Sequence, residues 1–149
     1  MNGTVPLEFV VPQGWVQVPA AEVNAPEGSL VLLDEATRGP AFTSNITVGG
    51  EAEPAGRRLV DVAEDVLGDL RAGMPEVAPI GREVFETGVV QQVRMAADLA
   101  GVRYRLVQAQ VYLPLPGAVL RLTLTATEDR FPLLVEDFEA FVSTVQERG

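Results

Sequence analysis

Arginines, amides and carboxylates are the side chains of this sequence best placed to do chemistry, and a group of arginines leads among them. If residues 89–99 and 102–113 pair through a two-residue turn at Ala100-Gly101, Leu99 meets Val102 and Asp98 meets Arg103. Arg94, Arg103 and Arg105 then share one sheet face with Gln92, while Val93, Met95, Ala97, Leu99, Val102, Tyr104 and Leu106 form the opposite, core face. Arg121 joins the arginine face if Leu120, Leu122 and Leu124 stay on the core side; a slip of one residue reverses that. Converging guanidinium forks hold a carboxylate or phosphate bidentately, so this is the candidate binding face. The plainer reading is a solvated sheet face whose arginine heads pair with carboxylates.

A second group is the amides Gln91, Gln92, Gln108 and Gln110, near the far end of the paired strands, with Tyr104 and Tyr112 on the expected core side. Buried amides need partners, so Gln108, Gln110, Tyr104 and Tyr112, with Trp15, are candidates to line a polar pocket. The alternatives are exposed strand ends for the glutamines and a core anchor for the indole. Asp61, Glu64, Asp65 and Asp69 crowd one face of a helical pattern, where paired carboxylates could do acid–base work or hold a hard cation. They lack the spacing and central glycine of a calcium loop, and ordinary amphipathic patterning accounts for them. Gly49-Gly50 has no lysine and no further glycines of a phosphate or dinucleotide loop, and Asn45-Ile46-Thr47 matches a glycosylation sequon by chance.

What is missing narrows the chemistry further. The sequence has no histidine, cysteine or lysine; its 11 basic residues are all arginine. Imidazole-based triads, thiolate nucleophiles, Schiff bases and imidazole or thiolate metal sites are therefore excluded by composition. No catalytic residue, metal ligand or cofactor is assigned, and the expectation is that the protein is not an enzyme. A net charge of −10, from 21 acids, disfavours nucleic acid and anionic membrane surfaces as partners. No apolar run reaches the ~18 residues of a membrane helix. Met1-Asn2-Gly3-Thr4 has neither a basic start nor a hydrophobic signal region, so the expected location is the cytoplasm.

The elements that must position these residues are legible as patterns. Leu59, Val62, Ala63, Val66, Leu67 and Leu70 recur at helical spacing up to Gly73-Met74-Pro75. Phe131, Leu134, Val135, Phe138, Phe141, Val142 and Val145 make a second helix, with Asp129 as expected N-cap and Pro132 in the first turn. Strands are expected at 7–11 and 15–18, joined as a hairpin across Pro12-Gln13-Gly14, then at 29–34, 44–48, 82–85, 89–99, 102–113 and 118–126, with a loop at 49–56. Short connections fold the last three strands into an antiparallel meander. The predicted class is α+β: one domain over 1–149, an antiparallel sheet with an N-terminal hairpin, a C-terminal three-stranded meander and two main helices packed on it.

Three stretches of this sequence, Phe9-Val10-Val11-Pro12-Gln13-Gly14-Trp15, Phe42-Thr43-Ser44-Asn45-Ile46-Thr47-Val48 and the closing helix with Phe138, Phe141, Val142 and Ser143, resemble the PsbP-like superfamily, nearest to its LpqN-type and DcrB-type members. The resemblance implies an antiparallel sheet between helices and carries no catalytic motif. It implies non-enzymatic roles of the kinds found there: photosystem accessory subunits, a binder of a nuclear-transport GTPase, lipoproteins, and chaperones of secretion effectors. The chain departs from the lipoproteins in lacking a signal and a lipid-attachment cysteine.

The resulting expectation is a non-catalytic protein-binding accessory or chaperone-like adaptor, secretion association being one form of it, with a protein partner whose identity the sequence does not give. The alternative is a carrier of a small lipid or of a carboxylate- or phosphate-bearing ligand in an apolar pocket. An exposed strand edge leaves a homodimer open.

Overall fold

In the computed structural model, which describes residues 7–23, 25, 26, 28–39, 42–52 and 57–147, the apolar patterns resolve into strands and two α-helices. In chain order these are β1 (Leu7–Glu8), β2 (Trp15–Val18), β3 (Leu30–Asp34), β4 (Asn45–Ala52), α1 (Leu59–Gly73), β5 (Ala78–Phe85), β6 (Gly88–Leu99), β7 (Val102–Leu115), β8 (Ala118–Thr127), α2 (Phe131–Thr144) and β9 (Gln146–Glu147). Strands β2 to β8 form one antiparallel sheet in the order β2-β3-β4-β8-β7-β6-β5, and β1 pairs with β9 apart from it. The class is α+β, and the meander β6-β7-β8 has the expected first register, Leu99 opposite Val102 and Asp98 opposite Arg103.

Both faces of the sheet are covered. Helix α1 lies over β6 and β7, and α2 lies on the opposite face over β8. On the α2 side Leu32, Ile46, Leu122 and Leu124 meet Phe138 and Phe141, and Phe9 packs edge-on to Phe141 with ring centroids 5.9 Å apart. Burying Phe138 and Phe141, which are almost wholly enclosed, contributes roughly 2–3 kcal/mol each. On the α1 side Val62, Ala63 and Leu67 of the helix cover Val89, Val93, Met95 and Tyr112. These are the positions that the 3.6-residue pattern assigns to the buried stripe of α1.

Several expectations are corrected. The N-terminal hairpin does not form: β2 pairs with β3, Trp15 opposite Asp34, while Leu7 pairs with Glu147. Leu7, Phe9 and Val11 follow α2 because that is where their apolar surface is covered. Pro12 closes only a turn, its carbonyl accepting from the Trp15 amide. Asp129 is not the cap of α2; Arg130 occupies that position without a side-chain cap bond. β4 continues through Gly49-Gly50 to Ala52, because β8 offers it an unbroken ladder. The rest of the expected loop, 53–56, lies outside the described residues, as does Met1-Asn2-Gly3-Thr4. Leu99 and Val102 sit at the hairpin tip beyond both helices, 40% and 50% exposed, and are not core.

The last register also differs. The β7–β8 turn takes Pro116-Gly117, so Leu115 faces Ala118 and Tyr112 faces Arg121. Arg121, Thr123 and Thr125 therefore share a face with Tyr112, Gln110 and Gln108, and Leu120, Leu122 and Leu124 point to α2. With both faces buried, alternation along a strand does not say which side is which.

Candidate functional site

The amides form a hydrogen-bonded chain beneath α1. Gln91 and Gln110 face each other across β6 and β7, each 1% exposed. Gln91 Nε2 donates to the Ala63 carbonyl (3.2 Å) and to Gln110 Oε1 (2.8 Å), and its Oε1 accepts from Arg82 Nε (2.9 Å). Gln110 Oε1 also accepts from the Tyr112 hydroxyl, its Nε2 donates to Gln108 Oε1, and Gln108 Nε2 donates to Thr125 Oγ1 (3.0 Å). At the outer end Arg82 Nη1 lies 2.6 Å from Glu64 of α1. Gln108, Gln110 and Tyr112, expected around a pocket, thus satisfy one another and pin α1 to the strands. Tyr104 lies further along the same face, half-buried against Phe42 at 6.4 Å. Trp15 is on the other face, where its indole donates to Asp137 of α2 (3.1 Å) and anchors β2.

The arginine face divides in the same way. Arg94, Arg103, Arg105 and Gln92 share the α2 side of β6 and β7, outside the reach of α2, and Arg121 is on the opposite side. Arg103 holds Asp98 with two bonds of 2.9 and 3.2 Å and reaches Glu76 at 3.1 Å. The hydrogen bond from Arg103 keeps the Asp98 carboxyl below its ordinary range, and the same contact raises the Arg103 pKa. Arg94 stands 3.7 Å from Glu128. With Arg105, Glu76 and Glu128 it lines an open recess that carries two cations and two carboxylates. An anion entering there competes with those groups.

A third place was not singled out from the sequence. A groove of about 420 Å³ runs between α1 and the edge strand β5, lined by Leu67 and Arg71 of the helix, by Pro79, Ile80 and Arg82 of the strand, and by Gln91 at its floor. Pro79 pairs with Val93 and Gly81 with Gln92, so Ile80 is the extra residue of a β-bulge. Ile80, Val84 and Phe85 are 47%, 65% and 53% exposed. Among the described residues no strand pairs with the outer side of β5. The signal was there in Pro79-Ile80-Gly81: proline and glycine beside an apolar residue mark an edge strand with an irregularity.

Compared by sequence, the chain matches no family model and no curated protein. Compared by structure, it is similar to LpqN of Mycobacterium tuberculosis, a protein involved in cell envelope biogenesis, at 18% identity and a TM-score of 0.67, over 100% of this chain and 87% of that one. It is also similar to PsbP (CyanoP) of Synechocystis sp. PCC 6803 (19% identity, TM-score 0.59, 95% of this chain and 86% of that one). A third likeness is to PA94 of Pseudomonas aeruginosa, a protein of unknown function (17%, TM-score 0.62, 99% of each chain). The fold is that of the PsbP-like proteins, as the three sequence stretches implied.

Proposed function

We propose that the chain is a non-catalytic accessory module, a chaperone-like adaptor that docks a protein partner. The observation that carries this reading is the β5 edge: a strand whose outer side pairs with none of the described strands and that shows solvent Ile80, Val84 and Phe85, three large apolar side chains outside the buried core. Apolar groups on an open edge are an aggregation hazard unless something covers them. The composition supports the same reading, since imidazole, thiol and amine chemistry are excluded. The most buried amides, Gln91 and Gln110, are bonded to each other and to the backbone of α1 and so serve the fold. The carrier alternative would have Arg103, Arg105 or Gln108 orient an anionic head at an apolar pocket; Arg103 is instead bonded to Asp98 and Glu76, and Gln108 to Gln110 and Thr125.

The test is affinity capture from native lysate with wild type and with Phe85→Lys, which alters an exposed side chain. A specific protein retained by the wild type and lost by the variant is the expected result; a partner-free wild type overturns the reading. The cytoplasmic location belongs to the same proposal, and cell fractionation checks it: recovery with cytoplasmic markers is expected, recovery with the envelope overturns it.

A further inference from the structure

From the groove between α1 and β5 we infer a recognition site for an extended peptide that adds a strand to β5 and reads an acidic side chain with Arg71. This deepens the adaptor reading and rests on it. A strand laid along β5 sits ~4.8 Å further out and takes up the free backbone groups of that edge. Its alternate side chains, roughly 6.7 Å apart, then point to the α1 side and enter the groove. There they meet Leu67 and Ile80, the latter turned out of the ladder by the bulge.

The chemistry of the occupant follows from the charges. Glu64 and Arg82 are paired to each other across the groove. Arg71, in the last turn of α1, lines the same groove and, among the described residues, has no carboxylate within ion-pairing distance. The occupant thus carries an apolar residue beside Ile80 and a carboxylate two positions away, within reach of Arg71. A lysine at that position would meet the guanidinium instead. Pro79 at the bulge has no amide hydrogen to give, so the backbone pairing runs along 81–85 and the end of the peptide continues past the bulge beside Ile80 toward Arg71.

Fluorescein-labelled short peptides of alternating valine and threonine, carrying Glu, Gln or Lys at one valine position, test this by anisotropy. The Glu peptide is expected to bind at least about tenfold more tightly than the Lys peptide, and Arg71→Glu to reverse that order. Methylating alternate peptide amides gives a second readout: one parity abolishes binding and the other is tolerated. Amide shifts on binding are expected to be confined to β5 and α1. Equal binding of the Glu and Lys peptides, indifference to methylation, or no saturable binding at millimolar peptide overturns the site. If the peptides fail while a captured protein is still lost with Phe85→Lys, this inference falls and the adaptor reading stands; if both fail, both fall.

Discussion

Gln91 is a side chain with every hydrogen-bonding position filled: two donors to Ala63 and Gln110, and an acceptor shared by two nitrogens of Arg82. A single change in such a network leaves the other amide without its partner, whereas removing both amides removes the demand each makes on the other. Gln110→Leu is expected to lower stability by about 1–3 kcal/mol, and Gln91→Leu/Gln110→Leu by clearly less than the sum of the two single changes, measured by urea denaturation as a double-mutant cycle. The surface pair Asp98–Arg103 behaves differently. Because the hydrogen bond from Arg103 lowers the Asp98 pKa in the folded state, its stabilisation is complete above the ordinary value of 3.8 and is lost as pH falls through the lower, folded value. Asp98→Asn is therefore expected to be less stable than wild type at neutral pH, and the two to converge well below pH 3.8. Denaturation curves at both pH values check the convergence, and the effect stays small because both partners are solvated.

At the scale of elements, backbone conformation offers two cheap gains. Gly68 lies in the middle of α1, on its exposed side, and a methyl group there would meet nothing within 4 Å. Gly68→Ala is expected to add about 1 kcal/mol, read as a higher thermal midpoint. Ala100, at the β6–β7 turn, holds φ 50° beside Gly101 at φ 80°. Left-handed backbone costs alanine roughly 1 kcal/mol, so Ala100→Gly is expected to stabilise the hairpin by up to about that amount, with unchanged register in amide spectra. That turn was readable in advance because its geometry is local, and so was the stop of α1 at Gly73. The β1–β9 pair was not readable, since no local signal joins Leu7 to Glu147. Arg121 was placed on the wrong face for a related reason: β7 and β8 are apolar on both sides, so their patterns do not fix the register, and Pro116-Gly117 does. The groove was missed because the expected strand began at Arg82, which left Ile80 outside it, whereas β5 begins at Ala78.

For the molecule as a whole, the sheet acts as a wall with a different helix on each side, and its two edges differ. The β2 edge is short and tied to α2 through Trp15, while β5 is longer and open. On the adaptor reading proposed above, recognition falls at the β5 margin, and the opposite margin and the two faces of the sheet serve stability. The small ladder of Leu7 with Glu147 and Glu8 with Gln146 has a different use. It brings the beginning and the end of the described chain to within about 5 Å of each other, the separation of facing residues on neighbouring strands. Another protein's surface loop could then be cut and this chain spliced into the gap, with both joints meeting neighbouring points of the host. The expected outcome is a hybrid in which insert and host melt close to their separate midpoints by calorimetry. Mutual unfolding of the two would show that the ends are not held together in solution.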